Sequence, residues 1–316
     1  MKLLFAPWIS LLLVAGFNGL QCGLHAQEVV TLKGHTQWVQ VVAISSDGRQ
    51  LLSGGDDKTL RSWDRSTGQS QILRTFESAV SALAFDASGK RIIVGTWDGR
   101  LEVCDASGRR IRALSGHDAT ITTAFFGPTG EYVLSGSADD TLVVWDPETG
   151  ESLLTLHQGN EYDVTAAAIS PDGNRIVTGD GENELKVWNG NTGVEIRTLG
   201  GHTETVTCVV YSEDGSRIIS GSWDDRLIVW DARTGDRVRE LKGHTDDISA
   251  LALSSDGGLI ASGSDDRTVR IWESGSGRHL HTIRLRDQVT CVLFDGDSKS
   301  VIVGGKGALT ICRLPD

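Results

Sequence analysis

No Cys-x-x-Cys pair occurs among the five cysteines, and none of Cys104, Cys208, Cys291 and Cys312 stands at a zinc-site spacing from a histidine. Redox pairs and structural zinc sites therefore lack their usual residues. Gly-x-Ser-x-Gly, a phosphate-binding loop and His-Glu-x-x-His are also missing, so the common hydrolase, nucleotide-binding and metalloprotease motifs have no counterpart. There is no Asn-x-Ser/Thr acceptor. Positive charge is in deficit, with 30 Lys and Arg against 42 Asp and Glu, a net charge of −12. Such a chain is a poor candidate for nucleic acid or an anionic membrane surface. The acidity favours a basic partner or simply confers solubility. Proline numbers five and methionine one, whereas glycine numbers 38 and falls in short regular clusters among Val, Ile, Thr and Ser. That composition points to an all-β fold with many tight turns.

The first residues, MKLLFAPWISLLLVAGFNGLQCGLHAQ, stand apart. Lys2 gives a positive start, and the apolar stretch from Leu3 to Phe17 is interrupted by Pro7. It is shorter than the roughly 20 residues of a membrane span, and Ala26 follows as a small residue. The pattern predicts a signal peptide over residues 1–26, cleaved after Ala26, with export to the periplasm or outside the cell. Lipoprotein processing at Cys22 ranks second, because Gln21 before it suits that reaction poorly, and an uncleaved anchor ranks third. Removing residues 1–26 takes away Lys2 and no acid, leaving a net charge of −13.

An internal repeat dominates the rest. LKGHTQWV at 32, LSGHDATI at 114, LGGHTETV at 199 and LKGHTDDI at 241 share one pattern. LSGGDDKTLRSWD at 52, LSGSADDTLVVWD at 134, ISGSWDDRLIVWD at 219 and ASGSDDRTVRIWE at 261 share another. The closing tryptophans Trp63, Trp145, Trp188, Trp230 and Trp272 are spaced by 82, 43, 42 and 42 residues. The double gap holds a weaker copy ending RLEVCD, with Cys104 in the Trp place. A last copy ends LTIC, with Cys312 there. Seven units of about 40 residues result. Each contains an apolar alternating run, an Asp-Gly-type turn, a second strand, an Asp-rich turn, a third strand and a Thr-Gly or Ser-Gly turn. Four short strands joined by hairpins form a small twisted sheet that buries its faces only by stacking on its neighbours.

The Gly-His to Trp-Asp units make the chain similar to the WD-repeat family over nearly all of residues 28–316. The resemblance implies a seven-bladed β-propeller of four-stranded antiparallel blades. It also implies that the strand before each Gly-His is the outer strand of the preceding blade. Residues 28–32 then have no blade before them, while the last unit lacks an outer strand. Pairing of residues 28–32 with residues 309–313 is expected to close the ring and remove an exposed edge.

The resemblance further implies a hydrogen-bonded chain of His, Ser/Thr, Asp and Trp within a repeat. The expected sets are His35, Ser53, Asp57 and Trp63; His117, Ser135, Asp139 and Trp145; His202, Ser220, Asp224 and Trp230; His244, Ser262, Asp266 and Trp272. Three repeats depart from it. The second keeps Asp98 but has Phe76, Val94 and Cys104. The fourth has Asn160, Thr178, Glu182 and Trp188. The seventh has Cys312 and no clear partners. These read as apolar substitutes within blades still needed to complete seven. Cys291 and Cys312 lie on the first and third strands of one blade, about 10 Å apart, too far for a disulfide. Cys104, Cys208, Cys291 and Cys312 are accordingly expected to be free thiols.

Four of the eight histidines and the Asp pairs are thus accounted for by the repeat rather than by metal binding or acid–base catalysis, and no cofactor is expected. GDGENE, residues 179–184, lacks the spacing and closing acid of a calcium loop. What remains is a face. In the resembling family, the third and fifth residues after the His and the residue before the Asp tend to turn toward protein partners. Here those places hold Trp38, Gln40 and Asp56; Ala79, Ser81 and Trp97; Thr120, Thr122 and Ala138. They continue with Asp163, Thr165 and Gly181; Thr205, Thr207 and Trp223; Asp247, Ser249 and Asp265; and Gln288, Thr290 and Lys306. Most are small or polar. Trp38, Trp97 and Trp223 are not, and tryptophan is enriched at binding hot spots. The candidate partner residues are Trp38, Gln40, Trp97, Asp163, Trp223, Asp247 and Asp265. The expected function is an exported, non-catalytic scaffold, monomeric by itself, that binds a protein or peptide with basic residues opposite the acids near Trp223. The alternative is a propeller enzyme of hydrolase, isomerase or lactonase type acting at a central channel. A third possibility is a structural part of a cell-envelope assembly.

Overall fold

The computed structural model describes residues 29–159 and 163–315. The expected signal segment, Cys22, the cleavage site, Glu28 and Asn160 lie outside these residues. Among the described residues the regular structure is entirely β.

Alternating Val, Ile and Leu make each run amphipathic, and Gly-containing turns of positive φ, such as Gly48 and Gly215, join the first and second strands. Blade 5 shows the plan: Val206–Tyr211, Arg217–Ser222, Arg226–Asp231 and Arg237–Lys242 pair in chain order, all antiparallel. Four more sheets repeat it, beginning at Val80–Phe85, Ile121–Phe126, Val164–Ile169 and Ile248–Leu253.

The remaining sheet has seven strands, because one long strand, Val29–Ile44, serves two blades. Residues 39–44 pair with Leu51–Gly55 in blade 1, followed by Thr59–Trp63 and Ser70–Thr75. Residues 29–33 pair instead with the C-terminal strand, Lys306–Arg313, in the register Val29 to Cys312 and Leu32 to Leu309. Cys291–Phe294 and Ser300–Gly304 complete that seventh blade. The register is that of the expected pairing, carried one residue further to Lys33 and Ala308. Arg65 of blade 1 adds a bidentate ion pair to Asp295 of blade 7.

The cores lie in the seams between blades. One cluster joins Val177, Leu185 and Val187 of blade 4 to Val206, Ile218 and Trp230 of blade 5. A glycine on the second strand lets each seam close. A Cβ on Gly54 would stand 2.3 Å from Val80, and one on Gly136 would stand 2.7 Å from Val164, each a valine of the next blade. Seams also carry a polar tie. Ser81, Thr122, Thr165, Thr207, Ser249 and Thr290 donate their hydroxyls to the carbonyls of Ile121, Val164, Val206, Ile248, Val289 and Val39 in the adjoining blade. These are the fifth positions after the His, which the sequence placed on the partner face. Their hydroxyls are instead engaged between blades.

Candidate functional site

Among the described residues, four blades contain a complete chain of side-chain hydrogen bonds. In blade 5, Trp230 Nε1 donates to Ser220 Oγ at 2.9 Å, Ser220 lies 2.8 Å from His202 Nε2, and His202 Nδ1 lies 2.9 Å from Asp224. An ionised carboxylate only accepts, so Nδ1 carries the proton and Nε2 accepts from the serine. The corresponding spacings are 2.8, 2.7 and 2.9 Å for Trp63, Ser53, His35 and Asp57. They are 2.8, 2.7 and 2.8 Å for Trp145, Ser135, His117 and Asp139, and 2.9, 2.7 and 2.8 Å for Trp272, Ser262, His244 and Asp266. Each Asp also accepts a backbone N–H from the residue after the His, such as Thr203 to Asp224.

Burial alone raises these carboxyls, but the hydrogen bonds and the adjoining His outweigh it and hold Asp57, Asp139, Asp224 and Asp266 below the ordinary value. Burial also lowers His35, against the pull of Asp57, and keeps its imidazole neutral. The chains link the third strand to the loop before the first and are spent within their own blades.

The irregular blades differ in detail. In blade 2, Phe76, Val94 and Cys104 share one apolar cluster, and Arg74 covers the Phe76 ring at 4.5 Å. In blade 4, Trp188 still donates to Thr178 at 2.8 Å. The GDGENE stretch is a hairpin turn: Asp180 accepts the N–H groups of Glu182 and Glu184, and Asn183 takes a left-handed φ of 75°. None of the four described cysteines is in a disulfide, and burial pushes Cys104, Cys208 and Cys291 up to about 12. A thiol held that high forms little nucleophilic thiolate.

The loops joining second to third strands, and outer strands to the next blade, share one end of the molecule. Trp97 and Trp223 stand there with 48% and 47% of their surface exposed. Each is fixed by its backbone: Trp97 N–H donates to the Ala79 carbonyl and Trp223 N–H to the Thr205 carbonyl, both at 3.0 Å. Their side chains are left turned outward, without a ring partner among the described residues. Trp38 is half-buried, and its carbonyl accepts from Asp56 N–H. Gln40 is also half-buried, its amide donating to the Asp56 carboxylate at 2.9 Å.

Beside Trp223 the acids converge. Carboxylate oxygens of Asp225, Asp246 and Asp247 lie within 4.8 Å of one another. Burial first, then their mutual repulsion and that of Glu204, raises Asp225 and Asp247. Asp265 is raised by burial and then by Asp247 and Asp246. Asp163 belongs elsewhere, since burial and Asp140 are what raise it. Glu204, Asp225 and Asp246 were not among the residues read from the sequence. The signal for Asp225 and Asp246 was the doublets Asp224-Asp225 and Asp246-Asp247, of which only Asp224 belongs to a buried chain; Glu204 carried no such signal.

Successive small antiparallel sheets packed face to face, with buried Trp–Ser–His–Asp chains, define a β-propeller repeat protein. A family model described as WD domain, G-beta repeat matches residues 26–64, 70–105, 108–146, 150–189, 193–231 and 235–273. The chain belongs to the WD-repeat family. It is similar to nuclear distribution protein nudF 2 of Penicillium rubens, 40% identical over 55 residues, which are 17% of this chain and 12% of that protein. Nuclear distribution protein PAC1-2 of Uncinocarpus reesii is 57% identical over 42 residues, 13% of this chain and 9% of its own length. The match thus spans about a tenth of each curated relative's length. The solved WD40 β-propeller domain of Doa1 superposes with a TM-score of 0.81 at 26% identity, covering 92% of this chain and 97% of that one. Among the described residues, no helix is long and apolar enough to cross a membrane.

Proposed function

We propose that this chain is an exported, non-catalytic scaffold that binds a protein or peptide through the loop face carrying Trp97 and Trp223. In this reading residues 1–26 are a cleaved signal, the pairing of residues 29–33 with residues 308–312 closes a seven-bladed ring, and the product is a monomer. The observation that carries it is the pair of half-exposed indoles held by ordered backbone on a face otherwise made of short polar side chains. The exposed half of one indole, roughly 100 Å², contributes about 2–3 kcal/mol when a partner covers it. Trp38 and Gln40 lie on the neighbouring blade to Trp97, and Asp247 and Asp265 on the neighbouring blade to Trp223. The acids around Trp223 repel one another, so a lysine or arginine inserted there relieves repulsion and also stacks on the indole. Asp163, on the preceding blade, stands apart from these acids, beside Asp140. The histidines that tempt toward catalysis are held inside blades, which supports binding over chemistry.

The test is affinity capture by the mature protein, with captured chains identified and then bound one by one as purified proteins. The Trp97→Ala/Trp223→Ala variant is expected to melt near the parent and to bind its partner at least tenfold more weakly. Equal affinity of parent and variant refutes this face. Mass spectrometry of the mature N-terminus tests the export reading separately: a chain retaining residues 1–26 overturns it.

A further inference from the structure

A second surface lies on the outer rim, away from the loop face, where blade 3 meets blade 4. The outer strand of blade 3, Ser152–His157, is the last in its sheet, and no strand lies beside it among the described residues. It reads SLLTLH and carries no Lys, Arg, Asp or Glu. Every other outer strand has at least one Lys or Arg: Arg74 in blade 1, Arg112 in blade 2, and Arg197, Arg239, Arg284 and Lys33 in blades 4 to 7. Charge on a free strand edge opposes pairing with a foreign chain, because covering it strips its water. Blade 3 lacks that guard, and its Leu153 is 60% exposed.

The groove beside this strand is set apart in the same way. Each outer strand turns one face toward the next blade, where it meets the glycine of a Thr-Gly or Ser-Gly turn. A Cβ on Gly150, Gly235 or Gly277 would touch the stem of Arg112, Arg197 or Arg239 of the preceding blade, so a cationic side chain lines those grooves. In blade 4 the glycine is Gly193, and a Cβ there would meet Leu156 and Leu154 of blade 3 at 2.7 and 3.0 Å. The residue after the glycine differs too. It is Gln69, Arg109, Glu151, Asp236 or Arg278 in blades 1, 2, 3, 5 and 6, but Val194 in blade 4, where it is 63% exposed. On the outer strand of blade 4, Glu195–Gly200, Arg197 and Leu199 reach Gly235 of blade 5, so alternation turns Ile196 back toward blade 3. Ile196 is 42% exposed. Leu154, Val194 and Ile196 thus line an open aliphatic groove where the grooves on either side hold arginine, and the unguarded edge of Ser152–His157 runs along it.

We propose that this edge takes up an extended, uncharged aliphatic segment of a partner protein, which adds to Ser152–His157 as a fifth strand of blade 3. One row of its side chains enters the groove against Leu154, Val194 and Ile196, and the other row covers Leu153. Backbone pairing supplies sequence-independent bonds. The groove selects aliphatic side chains, since a charge placed there loses water and gains no counter-charge. A helix in the same place leaves the backbone groups of the edge unpaired. Two whole copies of a chain with a net charge of −12 repel one another, whereas a short neutral segment adds no charge.

The test uses the mature protein and a fluorescein-labelled decapeptide of alternating Val and Thr, with a polyethylene glycol tail for solubility, followed by fluorescence anisotropy. Decapeptides with Glu or Lys in place of Val are the controls. The Val peptide is expected to bind, and both charged peptides are expected to bind about tenfold more weakly or worse. N-methylation of alternate residues removes the N–H donors along one edge of the peptide. Of the two peptides made this way, one is expected to lose binding and the other, methylated on its outward edge, to keep it. L154R installs the arginine that blades 2, 4 and 5 accommodate at the same place, so it is expected to fold, and it weakens the Val peptide about tenfold. V194D, which installs the residue of blade 5, is the second variant and weakens binding likewise. The Trp97→Ala/Trp223→Ala variant binds the Val peptide like the parent, so this outcome is separable from failure of the loop face. Absence of binding by the Val peptide, equal affinity of the parent and both rim variants, or a pair of N-methylated peptides that bind alike overturns the proposal. Sedimentation of the protein without peptide tests the competing occupant: a dimer that L154R dissociates assigns the edge to a second copy and overturns the proposal too.

Discussion

Ser220→Ala tests whether the buried side-chain chains hold the blades together. Ser220 is fully buried and makes two bonds: it accepts from Trp230 Nε1 at 2.9 Å and donates to His202 Nε2 at 2.8 Å. Alanine removes both. Trp230 is 1% exposed and His202 6% exposed, so water does not replace the lost hydroxyl. Leaving a buried polar group unpaired costs about 1–3 kcal/mol, and two such groups make about 3 kcal/mol a reasonable central figure. For a chain of this size that lowers Tm by roughly 6 °C. Differential scanning calorimetry on Ser220→Ala, Trp230→Phe and the double variant gives a double-mutant cycle. The double variant removes donor and acceptor together, so its loss should fall below the sum of the single losses by about 1 kcal/mol or more. Thr178→Val in blade 4 serves as an internal comparison, because among the described residues Thr178 accepts from Trp188 alone, and its loss should cost about half as much. Additive losses, or a Ser220→Ala variant within about 0.5 kcal/mol of the parent, refute the assignment of stability to these chains.

Deleting residues 29–33 removes the outer strand of blade 7, uncovers Leu309 and Cys312, and leaves Lys306–Arg313 as a bare edge. Tm should fall sharply and the variant should aggregate on warming; a melting curve matching the parent's counts against the closure. Asp225 combines a left-handed φ of 66° with a carboxyl raised by burial and by Asp246, Glu204 and Asp224. Its raised folded-state pKa means that its relative stabilisation is full below the unfolded-state value and is lost as pH rises through the folded-state value. Asp225→Asn, which tolerates that φ and carries no charge, should therefore raise Tm at pH 7 and leave it nearly unchanged near pH 3. A gain of equal size at both pH values contradicts the repulsion account.

The repeat made most of the fold legible. A 42-residue spacing of Trp188, Trp230 and Trp272 fixes the unit, and Gly-His, Asp and Trp at constant offsets mark each member of the buried chains. Those features are periodic because every blade solves the same local problem of burying one indole and one imidazole between strands. Strand edges were legible for the same reason, since Gly and Asp turns recur at fixed places. The seam hydroxyls were not. Thr207 and Ser249 look like loop polar residues, because the carbonyls they meet, on Ile248 and Val289, belong to another blade about 40 residues away.

The sequence by itself determined the number and order of the strands, the residues of the four complete chains and the partner strand for residues 29–33. Each depends on patterns within a repeat or on a deficit at one end matched at the other. Only the tertiary structure decided which exposed side chains remain unspent. It tucked Trp38 and Gln40 partly away while leaving Trp97 and Trp223 outward. It also drew Asp225, Asp246 and Asp247 from two blades into one cluster. The physical reason is that exposure and electrostatic neighbourhood are set where two blades meet, and a pattern confined to one blade does not contain the other.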